Sequence, residues 1–196
     1  MSAEPEVTIR RLVPELLDDY LAFFDGPAFA DNPEWAQCYC YYPYSQQAGI
    51  DDEGGDAFLA RSAEDNRQAI IEAIETGHAE GYLAYAEGRV VGFINAAPRS
   101  RYPQLADLPG DSDTIGATPC FTVDPAWRRR GIARRLLAAA IEGLQADGMV
   151  HLEAGPYTAP QDDAHRYRGT IELYEAAGYE RVADLPGGIT LMQKEL

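Results

Sequence analysis

The chain has 196 residues, 46% of them hydrophobic and 24% charged, which suits one domain over residues 1–196 with one sizeable core and excludes disorder as the main state. Thirty-two acidic residues against 16 basic ones give a formal net charge of −16, a field that repels nucleic acid and anionic membrane and attracts cations. The polar, acidic opening and the lack of any run of about 18 apolar residues argue against export and membrane insertion. With three cysteines, an odd number in a chain too large to need disulfide staples, the cytoplasm is the expected compartment.

In chain order, Val7 to Leu12 reads as an opening strand, and Pro14 then suits the first turn of a helix carrying Leu16, Leu17, Tyr20, Leu21 and Phe24. From Gly26 to about Gly55 the chain is irregular but aromatic, with Trp35, Tyr39, Tyr41, Tyr42 and Tyr44. Ser62 starts a second helix with a spacing to Asp65 like a capping box, and Gly77 stops it. The apolar runs Gly81 to Ala86 and Val90 to Ala96, joined by Glu87-Gly88-Arg89, form a hairpin. After a Pro- and Asp-rich loop from Pro98 to Asp113, a strand covers Ile115 to Val123 and breaks at Asp124-Pro125. A long amphipathic helix then runs from Gly131 to Gly148, with Leu136, Leu137, Ala140, Ile141 and Leu144 on one face. Val150 to Ala154 is a strand, Arg166 to Ala177 a helix closed by Gly178, and two last strands flank Pro186-Gly187-Gly188. The order β, α, α, β, β, β, α, β, α, β, β predicts a mixed α/β domain.

Five of the sixteen basic residues fall in one short segment, Arg128, Arg129, Arg130, Arg134 and Arg135. There a strand enters a tight turn at the start of a helix, so backbone N–H groups and the helix dipole face one point, as a pyrophosphate requires. Gly131 and Ala133 keep that approach open, and the arginines add charge-assisted bonds. A P-loop is excluded because the only lysine is Lys194. A dinucleotide fingerprint fails for want of two further glycines, and nucleic-acid binding calls for basic charge spread over a face. The bland alternative is a solvated helix end.

Arg128-x-x-Gly131-x-Ala133, preceded by a Val-x-Pro strand end, resembles the acyl-CoA signature of the GNAT N-acetyltransferases, and the element order is similar to theirs. The resemblance covers roughly Val7 to Leu196 and implies a central mixed, mostly antiparallel sheet flanked by helices. It extends to a branch of that family with a Cys-x-Cys, here Cys38-Tyr39-Cys40, and an Ala-Pro-Arg-x-x-Tyr-Pro segment, here Ala97 to Pro103. It implies acetyl-CoA as co-substrate, with the backbone of Phe121, Thr122 and Val123 along the pantetheine arm. Arg128, Arg129, Arg130, Gly131, Ile132, Ala133 and Arg134 would surround the phosphates.

Direct attack by an amine needs a deprotonated nucleophile and a proton for the departing thiolate. The resemblance places Tyr174 beside the thioester sulfur as general acid; packing against the sheet is its bland role. Seven residues earlier, Tyr167 stands where many members have asparagine. Strand alternation puts His151 and Glu153 on one face, and the family often places a carboxylate there, so Glu153, through a water, is the candidate base. Cys120 reads as core, and Cys38, Cys40 and the scattered histidines form no metal ligand set. Trp35, Tyr39, Tyr42, Tyr102 and Tyr157 are the expected acceptor wall, suited together with the negative charge to a small cationic or aromatic amine. The alternative to an enzyme is a non-catalytic acyl-CoA-binding sensor. Homodimers are common in the family; no nucleic acid, membrane or metal partner is expected.

Overall fold

The computed structural model describes residues 6–45, 58, 60–105, 108–160 and 164–196. Strand β1 (Val7–Arg11) leads through a Pro14 turn into helix α1 (Leu17–Phe24). The aromatic stretch resolves into 3-10 turns at Pro27–Phe29, Pro33–Cys38 and Tyr42–Tyr44; its part over residues 46–55 lies outside the described residues. Helix α2 (Ala63–Glu75) is capped as expected, the Asp65 N–H donating to Ser62 Oγ at 3.0 Å. Strands β2 (Gly81–Ala86) and β3 (Arg89–Asn95) form the hairpin, followed by β4 (Ala97–Pro98), β5 (Ile115–Ala117) and β6 (Phe121–Val123). Helix α3 (Ile132–Ala146), β7 (His151–Ala154), helix α4 (Ile171–Ala176), β8 (Glu180–Leu185) and β9 (Ile189–Glu195) complete the order.

Two strand systems result, β1-β2-β3-β6 and β4-β5-β7-β9-β8. All their pairs are antiparallel except β5 with β7, which is the expected mixed, mostly antiparallel arrangement. The expected strand Ile115 to Val123 is divided. Its first part pairs with β4 on one side and β7 on the other, and its second part pairs with β3. The division falls at Thr118-Pro119-Cys120, where Pro119 has no N–H to give to a ladder. The Thr118 N–H still reaches the Glu153 carbonyl at 3.2 Å, but the Cys120 carbonyl already accepts from Asn95.

Alternation along β2 and β3 sends neighbouring residues into two cores. Ala84 and Ile94 join Leu136, Leu137, Ala140 and Leu144 of α3, whereas Leu83 and Phe93 join Tyr20 and Phe24 of α1 and Ile70 and Ile74 of α2. Helices therefore cover both faces, and each buried Leu or Ile contributes about 1.5–3 kcal/mol.

The expected helix over Arg166 to Ala177 is also divided. Residues Ala164–Arg168 form a 3-10 turn, Gly169 follows at φ +81°, and Thr170 Oγ1 caps α4 by accepting from the Leu173 N–H at 3.2 Å. Tyr167 is thus not on the helix of Tyr174, which corrects the alignment of the two.

Candidate active site

The turn after β6 is built as its residue types require. Asp124 accepts from the Ala126 N–H at 2.9 Å and starts a 3-10 turn, Pro125–Trp127. Arg129 takes φ +61° and Gly131 φ +76°, the left-handed region in which a Cβ is costly. A Cβ built on Gly131 would meet nothing within 4 Å, so the space before the first turn of α3 is open. The first intrahelical bond there runs from the Arg135 N–H to the Gly131 carbonyl, leaving the N–H groups of Ile132, Ala133 and Arg134 at the end where the helix dipole favours an anion.

The arginines divide among different tasks. Arg129 and Arg134 are exposed at the turn. Arg130 lies over the Trp127 ring at 4.8 Å and Arg135 donates to the Val7 carbonyl at 3.2 Å. Arg128, expected around the phosphates, instead grips both carboxylate oxygens of Asp31 and donates through Nε to the Val123 carbonyl at 3.2 Å. That pair is exposed on both sides, so it contributes little to stability. It does tie the first 3-10 segments to the turn.

The ladder between β3 and β6 has a fixed phase. Asn95 donates to the Cys120 carbonyl at 2.9 Å and Asp124 to the Val91 carbonyl at 3.0 Å. Alternation then turns the backbone groups of Thr122 toward Phe93 and those of Phe121 and Val123 outward. Of the three residues expected to offer backbone bonds, Thr122 is therefore committed to the sheet. Among the described residues no strand pairs with the outer edge of β6, because β7 leaves beyond Thr118.

Where β7 leaves, a cleft open to solvent is walled by residues that include Leu108, Thr118, Glu153, Arg168, Leu185 and Ile189. Tyr174 stands one layer behind that wall. Its side chain is fully buried, its hydroxyl donates to the carbonyls of Arg168 at 3.0 Å and Thr118 at 3.3 Å, and its ring packs on Tyr179 and Phe121. Burial holds the phenol well above its ordinary pKa. The proposed acid is thus a covered, protonated hydroxyl aimed at backbone oxygen.

Glu153 reaches the cleft, but not as a solvated carboxylate. One oxygen accepts from Arg99 at 2.9 Å and the other from Gln193 Nε2 at 2.8 Å, and the Arg99 and Glu153 side chains are 0% and 3% exposed. Arg99 also donates to Ser112 Oγ and to the carbonyls of Leu108, Pro109 and Gly110. Both oxygens are thus taken by protein donors, which corrects the expectation that Glu153 faces a water. His151 is only partly buried.

The five aromatic residues expected to form one wall are separated. Trp35 and Tyr157 share neighbours, each packing on Tyr167 and His165, with the rings of Trp35 and Tyr167 5.5 Å apart. Arg168 lies over Tyr157 and Tyr167 and donates to the Tyr167 hydroxyl at 3.2 Å, joining this group to the cleft. Tyr102, by contrast, is 1% exposed against Tyr44 and cannot touch a substrate. Tyr39 packs on Phe24 and bonds Asp25, and Tyr42 packs on Phe58; neither lines the cleft. Cys120 is core, its sulfur 3.3 Å from that of Cys40, and no group of three or more candidate metal ligands occurs among the described residues. Nor is any helix among them long and apolar enough to cross a membrane.

Sequence reasoning missed Arg99, Gln193 and Arg168. Arg99 stood inside a quoted motif, but nothing local marked it as buried.

Comparison with solved structures finds the same architecture over nearly the whole chain. An N-acetyltransferase from Staphylococcus aureus Mu50 is 17% identical with a TM-score of 0.58, covering 97% of this chain and 98% of that one. The PaiA N-acetyltransferase from Thermoplasma acidophilum, in complex with coenzyme A, is 16% identical with a TM-score of 0.56 over 97% and 99%. YncA from Salmonella typhimurium, a putative acetyltransferase with its cofactor acetyl-CoA, is 18% identical with a TM-score of 0.52 over 97% and 94%. No curated protein matches by sequence. The family model described as "Acetyltransferase (GNAT) domain" matches residues 77–181, more than half of the chain, and the chain belongs to the GNAT acetyltransferase family.

Proposed function

We propose that the protein is an N-acetyltransferase that moves the acetyl group of acetyl-CoA to a small amine by direct attack in a ternary complex. One continuous feature carries this reading: the outer edge of β6 leads without interruption through the turn at 124–131 to the N–H groups that open α3. Phe121 and the Val123 N–H offer backbone groups to an extended polar arm, and Ile132, Ala133 and Arg134 offer amides to a pyrophosphate, with Arg129 and Arg134 adding charge. Those donors fit the pantetheine and diphosphate of acetyl-CoA, which when bound supplies the thioester. The coenzyme A and acetyl-CoA in the titles of two structural relatives support the same choice.

The chain's own groups then have distinct tasks. Tyr174 holds its proton near Thr118, and delivering a hydrogen bond to a departing thiolate requires it to exchange a carbonyl acceptor for that sulfur. Glu153 is assigned to holding the cleft through Arg99 rather than to proton transfer. The alternative, a non-catalytic acyl-CoA-binding module, is favoured by one observation: Tyr174 is covered and Glu153 is paired. Calorimetry with acetyl-CoA, followed by thiol release over a panel of primary amines, separates the readings. Affinity with turnover supports the enzyme, affinity without turnover the sensor, and no affinity overturns both.

A further inference from the structure

The wall of the cleft between β5, β7 and the β8–β9 hairpin has a chemistry that narrows the acceptor. It is formed mainly by the side chains of Leu105, Leu108, Pro119, Leu185, Ile189 and Leu191. Glu153 is the only carboxylate among the described lining residues, and both its oxygens are engaged, by Arg99 and Gln193. The other charged lining residue, Arg168, is itself a cation. The net charge of −16 draws cations at long range, but nothing described on this wall would replace the water around a second ammonium group, whose desolvation is costly.

Arg99 makes the wall apolar in a second way. Its bonds to the carbonyls of Leu108, Pro109 and Gly110 hold that segment in place, and Leu108 is part of the wall. An amine attacks only as the free base, and an apolar wall favours the uncharged form of whatever lies against it.

We infer, resting on the acetyltransfer reading above, that the acceptor is a primary amine on an apolar body, aromatic or branched aliphatic, with no second cationic group. Leu108, Leu185 and Ile189 are the specificity-determining residues. Of the cationic or aromatic amines expected from sequence, this selects the aromatic side.

The test uses the full chain with acetyl-CoA and four acceptors: 2-phenylethylamine, 3-methylbutylamine, 1,4-diaminobutane and spermidine. Rates are taken from thiol release, with the acetylated product identified by mass, and kcat/KM is expressed per free-base concentration. The apolar amines are expected to exceed the diamine and spermidine at least ten-fold. Leu185 is half-buried, so Leu185→Asp is expected to fold and to keep its acetyl-CoA affinity by calorimetry, while its preference ratio falls at least ten-fold. Diamine or polyamine rates equal to or above those of the apolar amines overturn the inference. So does a ratio unchanged by Leu185→Asp, or turnover of neither class by protein that binds acetyl-CoA. Failure to bind acetyl-CoA at all instead overturns the reading on which the inference rests.

Discussion

Arg99→Met is the substitution with the largest effect that the structure implies away from the turn at 124–131. The Arg99 guanidinium has no solvent exposure and makes five bonds: to Ser112 Oγ, Glu153 and the carbonyls of Leu108, Pro109 and Gly110. Methionine fills similar space but leaves Glu153 charged, buried and held by Gln193 alone. Breaking a buried pair from one side costs about 3–5 kcal/mol. The three carbonyls lose a donor as well, at about 1 kcal/mol each where water does not reach them. Because such terms are not additive, a total of about 4–6 kcal/mol is expected, a large share of the roughly 5–15 kcal/mol that holds a domain folded. Arg99→Lys keeps the charge but has three donors for five acceptors, so about half that loss is expected. Urea unfolding at neutral pH with linear extrapolation measures both. An Arg99→Met protein within about 1 kcal/mol of wild type would refute the argument that Arg99 holds the cleft loop.

Three further outcomes are expected. Gly131→Val must adopt φ +76°, a strain of about 1–2 kcal/mol, and puts bulk before the amides, so acetyl-CoA affinity by calorimetry should fall at least ten-fold; equal affinity would remove the turn from cofactor binding. Tyr174→Phe loses the bonds to the Arg168 and Thr118 carbonyls, costing about 1–2 kcal/mol in unfolding, and should lower turnover while leaving affinity intact; unchanged turnover with a good acceptor would take Tyr174 out of the chemistry. Burial raises the Cys40 thiol and the Tyr20, Tyr102 and Tyr174 phenols above their ordinary values. The folded state therefore keeps protons that the unfolded chain releases, and stability is full below about pH 8 and falls by about 1.4 kcal/mol per pH unit for each group above its unfolded value, about 8.5 for the thiol and about 10 for the phenols. A urea midpoint constant to pH 11 would contradict their burial.

Features written in local period or punctuation were legible from sequence. The stripe of Leu136, Leu137, Ala140 and Leu144 marked α3, Glu87-Gly88-Arg89 marked the hairpin, and Gly131 marked the turn, each because a local geometry demands that residue type. The breaks at Pro119 and at Gly169-Thr170 carried equally local signals, yet apolar runs on either side outweighed them in the reading. Other features depend on distant partners and have no such signal. Arg99 and Glu153 are 54 positions apart, and strand alternation could place Glu153 on a face but could not say what would meet it there. The aromatic residues failed as one wall for the same reason. Composition suggested a shared surface, whereas Tyr102 and Tyr39 were needed to fill two different parts of the core beneath the 3-10 turns.

The division of the strand at Thr118-Pro119-Cys120 links fold to site. A continuous ladder between β7 and residues 121–123 would use up the outward N–H and C=O groups of Phe121 and Val123, and no backbone edge would remain for a ligand. Pro119 cannot extend that ladder, while the Cys120 carbonyl is held by Asn95 on the other side, so the chain keeps β3 and loses β7. The loss has two products. One is the free edge that leads into the arginine turn; the other is the cleft, whose wall includes Thr118, Pro119 and Glu153. Buried Arg99 then supports that opening from behind, by ion-pairing to β7 and holding the 108–112 loop, where backbone pairing between β6 and β7 has been given up. The proposed cofactor edge and the proposed acceptor cleft are thus two sides of one broken strand pair, which is why a substitution that restored pairing across it would be expected to remove both at once.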